Sequence, residues 1–525
     1  MLCDAGLAAV WEKDADRPDF LSEVAVDGDT ASNTGISVPS GISNNSVVAA
    51  GFGYDTDTGD SDQNVDALIG GSLWTLSTVT FSFTDAGTDY GYVSSPSNYG
   101  TLSAAAETEM RAIFDAVAEF ATIEFDELGD DSGENDTDAV IKLGLTDATN
   151  TGFAYYPSNS ESGGDIWLRN TNPSWANAAT WEVIGFENAT LGTWGNFTLW
   201  HELGHSLGLK HGHESSGPGA MTTDKDAMEF SVMTYRSFVG DDTSGYNNET
   251  YGYAQTFMMY DIATLHRLYG ADFTANAGNT VYTFSTTTGE MFVDGVGQGT
   301  PGGNRIFRTI WDGNGEDTYD LSNYSTGLDI DLNPGESSDF SVGSTAQNAS
   351  LGSGNYADHL YNALQHDNDK RSLIENATGG SGDDVITGNR GANTLKGNDG
   401  NDTLSGKSWQ DRLEGGAGDD KLFGGGGTDE IIDGAGADKM WGGGKTDRFT
   451  FVRDDVRDTV RDWTPGEVLD VSAWGLSSMA DVKVKQKGAD MLVIAERNGP
   501  ESISLIASSG TIDTDDIDGS VLLFS

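Results

Sequence analysis

The residues best suited to chemistry are His201, Glu202 and His205, with His211 six positions further on. At 3.6 residues per turn, positions four apart lie only about 40° apart around a helix, so both imidazoles can reach one ion while Glu202 points at the same site. Two ligands are too few, because a catalytic zinc usually takes three and keeps a place for water. Gly208 offers the point where a helix can stop and the chain turn to bring in His211, since glycine tolerates a left-handed backbone. Zinc held in this way acidifies water and polarises a carbonyl, and Glu202 is placed to move the proton. The run Ser231-Val232-Met233-Thr234-Tyr235 follows. Met233 fits an apolar floor beneath the metal better than a ligand, because thioethers favour softer ions. Tyr235 carries a phenol that can bind metal or donate a hydrogen bond. His213 lies past the glycine in a polar loop and reads as solvent-facing, while Met221 and Met228 read as loop or packing residues.

The elements that must hold this site are legible as patterns. Phe197 to Trp200 leads into the motif as a buried helix would, and Thr78 to Phe83 alternates like a strand. The stretch from Ala104 to Phe125 carries Met110, Ile113, Phe114, Val117 and Phe120 at helical spacing. Residues 166–168 are expected as an edge strand near the cleft, and Met258 to Leu268 as a helix ended by Tyr269-Gly270.

A second signal is periodic. From Gly379 to Thr450 a nine-residue unit, Gly-Gly-x-Gly-x-Asp-x-apolar-x, repeats eight times without a gap. Its sixth position holds Asp384, Asn393, Asp402, Asp411, Asp420, Asp429, Asp438 and Asp447. Its eighth is always apolar, the single inward side chain that a short strand needs. The aspartates are hard oxygen ligands suited to calcium, and two units would make one turn of a parallel β-roll. The units containing Asn393 and Lys407-Ser408-Trp409 lose glycines, so a calcium position there is expected to be missing or poorly formed.

With these motifs in place, the chain resembles the serralysin-type secreted metalloproteases, members of the metzincins with a calcium-binding RTX region. Further strings carry the resemblance: Leu73-Trp74 with Thr80 to Phe83, Gly152 to Pro157, Gly164 to Trp167, Gln255 to Ile262 with Tyr269-Gly270, and Thr309 to Asp312 with Asp317 to Asp320. The fold it implies is an α+β metzincin catalytic domain followed by an all-β parallel β-roll/β-sandwich domain with calcium-binding nonapeptide repeats. The implied activity is hydrolysis of peptide bonds in proteins, with one catalytic Zn2+ on His201, His205 and His211, and several structural Ca2+ ions on Asp384, Asp402, Asp411, Asp420, Asp429, Asp438 and Asp447. By the same resemblance Tyr235 is a further zinc ligand that swings away to stabilise the transition state, and a type I secretion apparatus reads the C-terminal segment. Family members commonly follow the third histidine with proline, whereas this chain has Gly212-His213-Glu214. That departure leaves the primed-side pocket open while sparing the ligands.

Composition bounds the rest. There are 83 Asp plus Glu against 28 Lys plus Arg, a formal charge of −55, which would repel nucleic acid and anionic membrane. Such acidity fits calcium binding or adaptation to a salty medium. Cys3 is the only cysteine, so no intrachain disulfide can form. No apolar run reaches membrane length and no Sec leader is evident, and an extracellular monomer is expected. The expected organisation is a flexible leader or propeptide over residues 1–50, a zinc metalloprotease domain over 51–271, and a calcium-binding β-roll domain with the secretion signal over 272–525.

Overall fold

The computed structural model describes residues 47–49, 63–92, 96–129, 138–173, 176, 178–489, 491–497, 499–507 and 511–524. The expected leader, apart from residues 47–49, lies outside the described residues, as do Cys3 and Ser525. Two compact units emerge. One runs to Asp272 with segments Pro301–Thr309 and Ala349–Ala357, and the other holds Phe273–Thr300, Ile310–Asn348 and the chain from Asp358 on.

The first unit is built on a five-stranded sheet. Its order is Glu124–Glu127, Thr78–Phe83, Ile141–Thr146, Ile166–Arg169 and Gly152–Ala154, with only the last strand antiparallel to its neighbour. The expected edge strand at residues 166–168 is therefore an inner strand, and Gly152–Ala154 is the edge. Ile166, Trp167 and Leu168 are all buried, as suits a strand paired on both sides. Helix Ala104–Phe120 is capped by Ser103, whose hydroxyl accepts from the Ala106 amide at 3.1 Å. Met110, Ile113, Phe114, Val117 and Phe120 form its buried face. The helical pattern read out to Phe125 stops five residues short, because Ala121 is extended and the β-branched pair Thr122-Ile123 leads into strand Glu124–Glu127. Helix Met259–Tyr269 ends at Gly270, which takes φ +84°.

In the second unit two long, mostly parallel sheets face each other across a file of apolar side chains. In one, Leu395, Leu413, Ile431 and Phe449 stand in register, each 18 residues from the last. In the other the file is Ile386, Leu404, Leu422 and Met440. All eight are fully buried, and burying each such side chain contributes about 1.5–3 kcal/mol. Beyond the stack, strands Val482–Gln486, Met491–Glu496 and Ser502–Ala507 extend one sheet with antiparallel partners, and Leu522–Leu523 pairs with Val468–Asp470 at the end of the other. Among the described residues, no helix is long and apolar enough to cross a membrane.

The unit that lost its glycines shows the cost of doing so. Lys407 and Trp409 sit at φ +74° and +78°, a left-handed conformation that side chains disfavour by about 1–2 kcal/mol. Trp409 recovers part of this from the Lys370 ammonium, 3.8 Å above its ring. Lys407 is exposed and lacks such a contact in the described structure. Lys407→Gly should therefore stabilise the protein by about 0.5–1 kcal/mol, the strain relieved less the added freedom of the unfolded chain. Denaturant unfolding would measure it, and an unchanged or lower midpoint would contradict the strain argument.

Candidate metal centre

The helix Trp194–Ser206 begins at Thr193, whose hydroxyl accepts from the Asn196 amide at 3.3 Å, and every one of its residues is buried. His201, Glu202 and His205 project from it, and the helix ends at Leu207. Gly208 then takes φ +99°, and a Cβ there would lie 2.3 Å from the Ser72 carbonyl oxygen. Only glycine permits that approach. From there the Leu209–Lys210 backbone bonds along Leu68–Gly70, which carries His211 back over the helix.

The three imidazoles converge. His205 Nε2 is 3.0 Å from His211 Nε2, which is 3.2 Å from His201 Nε2. Nitrogens bound to one tetrahedral zinc at about 2.0–2.1 Å lie about 3.3 Å apart, so the spacing suits zinc. The opposite ring nitrogens decide the protonation state. Nδ1 of His201 faces the Val232 carbonyl at 2.8 Å, Nδ1 of His205 the Leu209 carbonyl at 2.7 Å, and Nδ1 of His211 a Glu214 carboxylate oxygen at 2.7 Å. These oxygens can only accept, so each Nδ1 carries the proton and each Nε2 turns a lone pair inward. Burial holds two of the imidazoles neutral, pushing His201 down to about 4 and His205 well below its usual value. Three facing lone pairs repel unless a cation sits among them, and the residues present therefore fit a zinc ion.

The floor beneath the site is equally specified. Met233 is fully buried, and a Cβ on Gly204 would come within 2.5 Å of its Sδ, so glycine in the helix leaves the space that Met233 fills. Asp261 fixes the turn that carries Met233. Its carboxylate accepts from Ser231 Oγ at 2.6 Å, the Val232 amide at 2.7 Å and the Met258 amide at 2.9 Å, while Ser231 Oγ accepts from the Met233 amide at 3.0 Å. Gly152, on the edge strand, plays the matching part for Glu202: a Cβ there would stand 2.8 Å from Glu202 Oε1.

Tyr235 lies beside the histidines, its ring centre 4.4 Å from that of His211 and 5.9 Å from that of His201. Asp226 holds both its neighbours, accepting from Thr234 Oγ1 at 2.7 Å and Arg236 Nε at 2.8 Å. His213 departs from the solvent-facing expectation. It is only partly exposed and stacks at 15° on His211, 5.4 Å between ring centres, with Tyr235 4.9 Å away. The loop after His211 folds inward because Lys210 Nζ donates to the Glu214 and Gly219 carbonyls and the Met221 amide donates to the Gly212 carbonyl. Met221 and Met228 are buried packing residues.

Both halves of the chain match known families. "Peptidase M10 serralysin C terminal" covers residues 271–489, and "Metallo-peptidase family M12B Reprolysin-like" covers 124–257, which contains the three histidines. The chain is serralysin-like. Serralysin C of Dickeya chrysanthemi is 32% identical over 240 residues, 45% of this chain and 42% of that protein. Serralysin G of the same organism is 29% identical over 321 residues, 59% of this chain and 58% of that protein. Metallopeptidase AprA of Pseudomonas marginalis is 31% identical over 241 residues, 45% and 44% of the two chains. The serralysin-like chain thus spans about half the length of the curated relatives it matches. Sequence reasoning assigned no role to Asp261, Glu214 or Asp226. Asp261 could have been found from its place at the third position of a helix that starts without a capping side chain at Met258. Glu214 and Asp226 carry no such signal, because loop geometry brings them in.

Asp261→Asn keeps the shape but offers an amide N–H where two backbone N–H groups or the Ser231 hydroxyl need an acceptor. The loss should destabilise the fold by about 1–3 kcal/mol and weaken zinc retention, since Val232 in the same turn orients His201. Thermal unfolding together with chelator competition would show it; wild-type values in both would make Asp261 incidental to the site.

Proposed function

We propose that this chain is a secreted, calcium-stabilised zinc endopeptidase that hydrolyses peptide bonds in proteins. The observation that carries the reading is the convergence of three proton-free Nε2 atoms. His201, His205 and His211 would hold a zinc ion there, and its Lewis acidity would acidify a water and polarise the scissile carbonyl. Glu202 acts as general base, taking the proton from the attacking water and returning it to the departing amine. Its buried setting beside Gly152 favours that role, because a carboxylate in a confined site meets little competing solvent. Tyr235 donates a hydrogen bond to the oxyanion as the carbonyl becomes tetrahedral, and can contact the metal at rest. Met233 supports the histidines from below. Peptide is the substrate class, consistent with the serralysin and metallopeptidase names of the relatives.

The same reading extends to the second unit. Asp402, Asp411, Asp420, Asp429 and Asp447 each use Oδ1 to accept the amide of the residue 18 positions earlier, while their Oδ2 atoms are buried without a hydrogen-bond partner. Such atoms suit calcium, and with Asp384 and Asp438 they are the proposed ligands of several ions. At Asn393 the side-chain amide donates instead to the Glu375 carbonyl at 2.8 Å and to Asn389 Oδ1, so that unit needs no ion. We also propose a zinc-protease domain over residues 51–271, a calcium-binding domain over 272–525, an extracellular monomer, and export by a type I apparatus that reads the C-terminal segment. An acidic stack would stay extended at low cytoplasmic calcium and fold outside the cell.

Glu202→Gln should keep zinc yet lose at least 100-fold in casein hydrolysis, on the order of a missing general base, whereas His205→Ala should lose both. Tyr235→Phe should lower kcat by roughly tenfold to a hundredfold with zinc retained. Zinc bound without proteolysis in the wild-type protein would instead favour a binding scaffold. Chelation of calcium should loosen residues 379–450 before the core around the zinc helix melts. Hydrogen exchange that is equal in excess chelator and in millimolar calcium would remove the calcium assignment.

A further inference from the structure

The buried side chains Leu422, Met440 and Val460 stand in register on three neighbouring strands, Lys421–Gly426, Lys439–Gly444 and Arg457–Trp463. Side chains alternate along a strand, so the residues on either side of each of these face away from the core. Those positions hold Lys421 and Phe423, Lys439 and Trp441, and Thr459 and Arg461, with Arg457 two residues before Thr459. None is acidic, in a chain with 83 Asp plus Glu and a formal charge of −55. Among the described residues, Lys421, Lys439, Arg457 and Arg461 form no ion pair. The carboxylates close to them in sequence are committed elsewhere. Asp420, Asp438 and Asp458 are buried, Asp419 accepts the Ala437 amide at 2.9 Å, and Asp462 accepts the Gly442 and Gly443 amides at 3.0 and 2.9 Å.

The other long sheet treats its cations differently. There Lys396 and Arg412 pair with Glu414, Arg412 also with Glu430, and Arg448 with Asp470. The same repeat thus supplies carboxylate partners on one face and withholds them on the other. Between the unpaired cations, Phe423 and Trp441 stack at 16° with 4.4 Å between ring centres, and the Arg461 guanidinium stands 6.0 Å from the Trp441 ring. Ring faces are taken up in this stack, which leaves the edges, the positive part of the aromatic quadrupole, to meet a partner. The Trp441 indole N–H has no acceptor among the described residues and is not sealed from water. Apart from the Thr459 hydroxyl, every polar group on this face is a donor only. Neighbouring strands lie about 4.8 Å apart, so Lys421 and Lys439, paired in register, repeat at that interval. Register carries the row on from Thr459 through Ser504 and Val493 to the exposed Lys485.

We propose that this sheet face docks a linear anionic polysaccharide, which lies across the strands with its charged groups over Lys421, Lys439 and Arg461. Periodic donors call for a periodic acceptor, and a polymer with an anionic group on each sugar ring supplies one. Single-stranded nucleic acid fits less well, because it gains most from bases laid on open ring faces. Here Phe423 and Trp441 cover one face of each other, and Arg461 takes the second face of Trp441. An anionic membrane would bring the strongly acidic remainder of the protein against a plane of like charge, whereas one polymer strand meets this face alone. The overall charge does not prevent docking, since salt screens charges beyond about 8–10 Å and a strand seated on the lysines feels them first. Such a surface would hold an extracellular protein on a charged matrix, and it does not depend on the zinc chemistry.

The test uses the full-length protein in calcium and zinc, with dextran sulfate as the probe and unsulfated dextran as its neutral control. Titration calorimetry at low and high salt compares wild type, the double variant Lys421→Gln/Lys439→Gln, Arg461→Gln, and Lys396→Gln on the opposite sheet. Wild type should bind dextran sulfate but not dextran, and more weakly as salt rises. The double variant should bind roughly tenfold more weakly, the loss expected of two exposed charge contacts, and Arg461→Gln should be weakened as well. Lys396→Gln should bind as wild type does. Circular dichroism verifies that every variant folds, and casein hydrolysis should be equal in all four proteins, so this proposal and the peptidase reading stand or fall separately. Equal binding by wild type and the double variant would overturn the proposal, because the polymer would then be held elsewhere or bridged through calcium. Absence of dextran sulfate binding would overturn it too. So would tighter binding of oligothymidylate or of phosphatidylserine vesicles with the same dependence on Lys421 and Lys439, which would make the partner a nucleic acid or a membrane.

Discussion

Everything that distinguishes this chain depends on burying groups that repel one another until a cation arrives. In the first unit the groups are neutral imidazoles whose lone pairs face inward at 3.0 and 3.2 Å. In the second they are carboxylates whose Oδ2 atoms are sealed from water without a partner. A buried unpartnered acceptor costs about 1–3 kcal/mol and an ionised one more. The protein arranges such atoms in register, where their costs add. On the proposed assignments a metal ion would remove the penalty at each site, and ion binding and folding would become one equilibrium. With a single cysteine no disulfide can serve as the alternative clamp.

The two units commit their donors by different means. At the histidines the decision is made by the far nitrogen: a carbonyl or carboxylate at Nδ1 fixes the tautomer before any ion is present. Two of those acceptors are main-chain carbonyls set by the helix end and the Met233 turn, and the third is the Glu214 side chain, hydrogen-bonded to His211. His211 is accordingly the imidazole oriented by a side chain, and it is also the one packed against both Tyr235 and His213. In the repeats from Asp402 on the decision is made by Oδ1, which each aspartate gives to the ladder amide. Its other oxygen is left over by geometry.

What was legible in the sequence follows from how local each constraint is. His201, Glu202, His205, Gly208 and His211 are read by helical spacing and one glycine turn, and the structure brings the three imidazoles together. The eighth-position apolar residues of the repeats are read by period, and they are buried. The end of helix Ala104–Phe120 was harder to see, because Thr122, Ile123 and Phe125 continue an apolar pattern that a helix and a strand share until pairing decides. The inner position of Ile166–Arg169 depends on strand order, which no local pattern encodes. Asp226, Glu214 and the stacking of His213 depend on a loop rich in Gly, Ser and Thr, where turns set by distant hydrogen bonds overrule composition.

Glycine links these observations, since at the sites its use is to leave out a side chain. Gly204 makes way for the Met233 sulfur, Gly152 for the Glu202 carboxylate, and the leading glycines of the repeats for the sixth-position aspartate oxygens. At each of these places a Cβ would occupy the space that a functional atom now fills. Where the chain abandons glycine, the result depends on what replaces it. Lys407 and Trp409 add side chains at positive φ, whereas Asp433 brings in an oxygen that accepts the Gly434 and Val452 amides. A substitution that crowds a purely structural repeat is thus accommodated where the atom it introduces takes up backbone amides that would otherwise lie buried there.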